Sequence, residues 1–142
     1  MTPILYTDGY KYQLAKDYVL ALDIRPAAQI VTPYIALDLD GTLTIRAGYA
    51  WDGPSGPTID TANFMRGSLV HDALYQLLRE RYLPAELREA ADRILQRCCL
   101  EDGMSRLRAW WVYWGVRLGG GPAADPAHTK PILSAPRKEL MS

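Results

Sequence analysis

Between Gly48 and Pro57 the chain reads GYAWDGPSGP, a density of glycine and proline that separates two kinds of sequence. Glycine reaches backbone angles closed to other residues and proline removes an amide donor, so a loop is expected over residues 48–58. Ahead of it, residues 1–50 are rich in Tyr, Ile, Val, Leu and Thr and read as short strands interrupted by Pro26 and Pro33. Ile35, Leu37 and Leu39 alternate with smaller or polar residues, Asp40-Gly41 supplies a turn, and Leu43 and Ile45 resume the alternation. That pattern predicts an antiparallel hairpin over Tyr34 to Ile45. Tyr10 to Leu22 fits either a strand or a helix.

Behind the loop the apolar period lengthens to that of a helix. Asp60 or Thr61 can cap a helix spanning about residues 60–82, with Phe64, Leu69, Leu74, Leu77 and Leu78 on its apolar side. Pro84 opens a second helix, about 84–101, whose face carries Leu87, Ala91, Ile94, Leu95 and Cys98, and Asp102-Gly103 stops it. The third, about 105–118, carries Leu107, Trp110, Trp111, Tyr113, Trp114 and Leu118 and runs into Gly119 to Gly121. One α+β domain over residues 1–121 follows, with residues 122–142 as an extended or flexible tail. The aromatic stripe of the third helix is expected to supply core on one side. Four large rings in five positions cannot all face inward, so at least one is expected to face a membrane surface or a protein partner.

The chain has 142 residues, 49% of them apolar, and 16 basic against 16 acidic side chains. This supports a folded domain and argues against nucleic acid as a partner, because counterion release needs a surplus of Lys and Arg. Ala109 to Leu118, the longest apolar stretch, is about half the roughly 20 residues of a membrane span. Met1 to Asp8 lacks the basic and apolar segments of a signal peptide. Cys98 and Cys99 are adjacent, point to different sides of their helix and read as small buried thiols.

Asp38-Leu39-Asp40-Gly41-Thr42 is similar to the nucleophile motif of haloacid-dehalogenase phosphatases, but that chemistry needs a helix after the motif, and here LTIRAGY continues as strand. No lysine occurs between Lys16 and Lys130 to hold a phosphate. The motif is therefore expected to be a hairpin turn. Ser55 lacks the G-x-S-x-G setting of a nucleophile. The only other histidine besides His71 is His128 in the tail, which leaves His-Asp phosphohydrolase and zinc sites without ligands.

What remains is a constellation of Asp52, Asp60, His71, Asp72, Tyr75 and Asp92. Adjacent helical residues diverge by about 100°, so His71 and Asp72 can border one cleft in different roles. The imidazole can face a substrate or water while the carboxylate reaches a cation, and the loop from Trp51 to Pro57 can add backbone carbonyls, which calcium accepts. Asp92 on the second helix can accept the other ring N–H of His71 and fix its tautomer. Trp51, Ser55 and Asp60 border the same loop and are candidates to touch a substrate, while Asp52 and Asp60 serve equally as turn and helix caps.

His71-Asp72-Ala73-Leu74-Tyr75, followed about 20 residues later by Ala91-Asp92-Arg93-Ile94-Leu95, resembles the two core helices of the phospholipase A2 superfamily, small prokaryotic members especially. From Gly48 to Gly120 the chain is also similar to an uncharacterised family of small phage and prophage proteins. Its motif, G-[YF]-x-x-D-x-x-S then H-D-x-L-Y, is met here by Gly48, Tyr49, Asp52 and Ser55 and by His71 to Tyr75. The first resemblance implies His71 as general base on water, Asp92 orienting it, and Tyr75 bonding near Asp92. It also implies Asp72, with the Gly53 carbonyl and Asp52, holding calcium for ester hydrolysis at a phospholipid surface. The calcium loop of that superfamily is not reproduced residue for residue, and its disulfides have no counterpart. The second resemblance implies a phage product of the host cytoplasm or the virion, or a non-enzymatic virion, tail or host-interaction protein that contacts other phage structural proteins. The two functions differ in one observable: an enzyme presents His71 in a cleft, whereas a structural protein buries it.

Overall fold

The computed structural model describes residues 4–6, 12–51, 62–121 and 133–135. The alternation read from the sequence becomes a four-stranded antiparallel sheet of β3 (Tyr18–Ala21), β6 (Thr42–Ile45), β5 (Ile35–Leu37) and β4 (Ile30–Val31), in that spatial order. The β5–β6 register sets Ile35 opposite Ile45 and Leu37 opposite Leu43, so four branched side chains line one face and all are fully buried. The turn between them is closed by the Asp38 amide on the Thr42 carbonyl, and the Asp40 carboxylate accepts from the Thr42 amide at 3.0 Å. Gly41 takes φ 91° there, and a Cβ on it would lie 2.4 Å from the Leu22 carbonyl oxygen. The D-x-D-G-T motif is thus a hairpin turn, as its sequence context requires.

Two further short ribbons are formed. β1 (Ile4–Tyr6) pairs antiparallel with β8 (Leu133–Ala135), which are the described residues of the tail. β2 (Tyr12–Gln13) pairs with β7 (Ala50–Trp51), and this corrects the expectation of loop from residue 48 onward. Local breakers cannot reveal a remote partner; here Leu14 donates to the Tyr49 carbonyl at 2.8 Å and receives the Gly48 amide at 2.7 Å. Asp52, Gly53, Ser55 and Asp60 lie outside the described residues.

α1 (Ala62–Arg79) and α2 (Arg88–Glu101) run antiparallel, as the order of their contacts requires: Arg66 meets Asp102, His71 meets Asp92, and Tyr75 meets Arg88. Pro84 begins a short 3-10 turn, Ala85–Leu87, rather than α-helix directly. α3 (Arg106–Gly119) starts at Ser105, whose hydroxyl accepts from the Arg108 amide at 3.2 Å. The core lies between the buried face of the sheet and α1, where Val70, Ala73, Leu74 and Leu77 are fully buried, and Ile94 and Cys98 of α2 join it.

The expected aromatic core face of α3 is not found. Only Ala109 of that helix is fully buried, while Trp110, Trp111 and Trp114 are 51%, 65% and 44% exposed. α3 packs through its small and β-branched residues, Ala109, Val112 and Val116, which allow a closer approach than indole rings.

Gly67 sets the closeness of α1 and α2. A Cβ there would lie 2.9 Å from Leu95 Cδ1 and 3.2 Å from Cys99 Sγ. Replacing it gains helix propensity but overpacks the interface. Gly67→Val should therefore cost about 2 kcal/mol of stability in urea unfolding; an unchanged midpoint would show that the two helices have room to spare.

Candidate active site

Ser68, His71 and Tyr75 are spaced three or four residues apart on α1 and share one side of it, with Asp72 three residues before Tyr75 and four after Ser68 on the same side. The first is an anchor: the buried Trp51 indole donates from Nε1 to Ser68 Oγ at 3.0 Å. The described end of β7 is thereby held to α1 one helical turn before His71. As the bonded end of β7, with its ring against Tyr12, Trp51 is a core residue.

Asp92 on α2 has no exposed surface, yet it is a carboxylate. Burying such a charge is tolerable only if its oxygens are bonded and its charge is met. Both conditions hold. Oδ1 accepts from His71 Nε2 at 2.7 Å and from the Tyr75 hydroxyl at 2.6 Å, and Oδ2 accepts from Arg117 Nη1 at 2.9 Å. Burial pushes the Asp92 carboxyl upward, but the bonds from His71 and Tyr75, the charge His71 carries when protonated and the Arg117 bond outweigh it and hold the group below the usual carboxylate range. The Tyr75 hydroxyl is pushed well above its usual value by burial, and then by its bond to Asp92 and the charge there. The phenol therefore stays protonated and donates.

Arg88 supports this cluster from its far side. Its Nε donates to the Tyr75 oxygen at 3.1 Å, and its Nη2 donates to the carbonyls of Val116 and Arg117 at 2.8 and 2.9 Å. Those carbonyls lie in the last turn of α3, where Val116 also accepts from the Gly120 amide at 2.8 Å, so one guanidinium adds to the bonding of the helix end and fixes Tyr75 together. Gly120 passes close by; a Cβ there would sit 2.7 Å from the Tyr75 oxygen.

The geometry settles the histidine tautomer. An ionised Asp92 can only accept, so Nε2 carries the hydrogen, and in the neutral ring Nδ1 keeps its lone pair. Nδ1 lies 4.0 Å from Asp72 Oδ1, beyond hydrogen-bonding distance. A neutral imidazole held by a buried carboxylate, with its other nitrogen unprotonated, is the arrangement of a general base. Against this, the His71 side chain is only 8% exposed, and the groove of about 370 Å³ between Asp23 to Arg25 and the outer side of α2 is lined by neither His71 nor Asp72.

Of the residues singled out from the sequence, the fold brings His71, Asp92, Tyr75 and Asp72 together. A hard carboxylate such as Asp72, 32% exposed, suits calcium, but an oxygen shell of six to eight ligands needs far more than it supplies. Asp52 and Gly53, named for the rest, lie outside the described residues. Among the described residues no group of three or more His, Cys, Asp or Glu converges to hold a metal. Sequence reasoning missed Arg117, Arg88 and Ser68. Arg117 left a signal, being the first charge after the eight-residue run AWWVYWGV; Arg88 and Ser68 left none.

The chain belongs to a family described as a protein of unknown function, DUF1353, whose model matches residues 28–116. That span holds the hairpin, His71, Asp72, Tyr75, Asp92 and Arg88, and stops one residue before Arg117. No curated protein and no solved structure matches the chain.

The buried cluster should govern the pH range of stability. Asp92 has a lowered pKa in the fold, so its contribution is present above the ordinary carboxylate value of 3.8 and is lost as pH falls through the folded value. Tyr75 and Cys99 are raised, Cys99 by burial to about 12, so theirs is present below the ordinary values and is lost as pH climbs from about 9. Denaturant unfolding across pH should show both limbs. Asp92→Asn should flatten the acid limb and Tyr75→Phe should lessen the alkaline one; limbs unchanged in both variants would remove these groups from the account.

Proposed function

We propose that this chain is an ester hydrolase of phospholipase A2 type, and the short bond between His71 Nε2 and the buried Asp92 carboxylate carries the reading. In this reaction His71 Nδ1 takes a proton from water and the water oxygen attacks the ester carbonyl carbon. The bond to the alcohol oxygen then breaks, and the alcohol leaves with the proton that His71 returns, so no covalent intermediate forms. Asp92 orients the ring and offsets its charge while it is protonated, and Tyr75 and Arg117 keep Asp92 ionised and in place. Calcium, when bound, supplies positive charge for the carbonyl oxygen. Asp72 is the described residue suited to hold it, with Asp52 and the Gly53 carbonyl as further donors. The substrate class is a phospholipid ester. The resemblance in the G-[YF]-x-x-D-x-x-S and H-D-x-L-Y motifs supports a phage or prophage origin and work in the host cytoplasm or virion. No helix of the described residues is long and apolar enough to cross a membrane.

A second reading has the support of the criterion drawn from the sequence, since His71 is buried rather than presented in a cleft. The near-complete burial of His71 and the satisfaction of every Asp92 oxygen also suit a polar knot that locks three helices in a non-enzymatic virion, tail or host-interaction protein.

The two are separated by hydrolysis of mixed phospholipid vesicles with calcium, magnesium or zinc present. The hydrolase reading expects calcium-dependent turnover that falls about a hundredfold to ten-thousandfold in His71→Ala. Asp72→Asn, a change at a partly exposed position, should lose activity and the calcium-induced rise in melting temperature while still folding. No turnover with any metal, and no metal effect on melting, would leave the structural reading in its place.

A further inference from the structure

The outer side of α3 carries Leu107, Trp110, Trp111, Trp114 and Leu118, with Leu107 69% and Leu118 84% exposed. The opposite side, Ala109 with Val112 and Val116, packs against Leu95, Cys99 and Met104. A helix that is apolar on both sides has the pattern of one covered on both sides. At the exposures of its five side chains the outer patch is on the order of 600 Å², the upper end of what a monomer leaves in water.

The order of residues on this patch indicates what covers it. Leu107, Trp111, Trp114 and Leu118 follow one another at steps of four, three and four. Those are the steps of a heptad seam, and they keep all four side chains on one line down the helix. The line also reads the same from either end: leucine, tryptophan, tryptophan, leucine. A two-fold contact brings a surface against its own copy, so the surface must be complementary to itself. Two α3 helices laid antiparallel about the midpoint of the line set Leu107 against the partner's Leu118 and Trp111 against the partner's Trp114. Every leucine then meets a leucine and every indole an indole, an order that a partner of different sequence does not require.

Charge fixes the direction. Arg117 is bonded to the buried Asp92, so the other positive groups of α3 are Arg106 and Arg108, both in its first turn, and the helix has no acidic residue. A parallel pair would hold each of these arginines beside its own copy. The antiparallel pair separates like arginines by roughly 14 to 20 Å along the axis, at about 1.5 Å per residue, which exceeds the screening length of about 10 Å at moderate salt. It also carries them to the C-terminal end of the facing helix, where the dipole is negative. Two patches brought together remove on the order of 1,200 Å² from water, which reaches the range of stable specific interfaces.

We propose that this protein forms a homodimer by antiparallel packing of two α3 helices through Leu107, Trp111, Trp114 and Leu118, with Trp110 at the border of the contact. The inference goes beyond the hydrolase reading and does not rest on it. Because Arg117 of the same helix bonds Asp92, the contact would brace the His71 cluster in both copies.

The test is sedimentation equilibrium of the purified full chain across the micromolar range, where a contact of this size can assemble and dissociate. The expected result is a reversible rise from the mass of one chain to that of two. Trp111→Ser/Trp114→Ser, altered only at exposed rings, should associate roughly a hundredfold or more weakly, and should melt as the unaltered chain does at concentrations where both are monomeric. Leu107→Cys and Leu118→Cys chains, mixed under mild oxidation, should cross-link to each other and neither to itself, while Cys98 and Cys99 stay buried. A chain that is monomeric throughout overturns the proposal, as does a dimer that survives the tryptophan double variant. Leu107→Cys chains that cross-link among themselves overturn the antiparallel arrangement. A monomer that co-sediments with phospholipid vesicles also overturns the proposal, and gives the face to a lipid surface.

Discussion

A carboxylate with no exposed surface sits where α1, α2 and α3 meet, and the helical half of this protein is arranged around satisfying it. Asp92 draws His71 and Tyr75 from α1 and Arg117 from α3. A buried charge left unpaired costs several kcal/mol, on the order of the whole margin by which a domain is stable, so these partners are not interchangeable decoration. Arg88 extends the same logic by joining Tyr75 to the last carbonyls of α3. The short helix α3 is thereby tied to the rest mainly by directional polar bonds at its C-terminal end and by a small apolar contact along its length.

The sheet does a different job. Its fully buried Ile35, Leu37, Leu43 and Ile45 form an apolar floor for α1, and the floor fixes which side of α1 turns inward. Leu74 and Leu77 face it, and the adjoining side of the helix then carries Ser68, His71, Asp72 and Tyr75. Trp51 links the two halves by bonding Ser68, so the strand region and the histidine share one register. That link is mechanical as well as chemical, because a shift of β7 would be felt one turn from His71.

The same polar cluster is consistent with catalysis and with a purely structural role because both require an oriented imidazole and a neutralised carboxylate. What separates them physically is access to Nδ1. The 4.0 Å between Nδ1 and Asp72 places a second acidic group beside the ring without using the nitrogen, while the low exposure of His71 restricts the approach. The outer side of α3 adds a second chemistry, apolar and basic, on a helix that the Asp92 cluster holds in place.

Much of this was legible in the chain itself. The break at Gly48 to Pro57 and the change of apolar period on either side of it determined an α+β order of elements, because periods of two and 3.6 follow from backbone geometry alone. Asp40-Gly41 determined a turn, since its glycine must take a positive φ, and the spacing of His71, Tyr75 and Asp92 was enough to expect the histidine and aspartate to meet. Tertiary structure decided the rest, for reasons no local pattern carries. The pairing of Ala50–Trp51 with Tyr12–Gln13 depends on a partner far along the chain, as do the Arg117 and Arg88 bonds at the cluster. The outward turn of the α3 tryptophans was decided by space: α2 admits alanine and valine at that contact, and the indole rings are left on the exposed side.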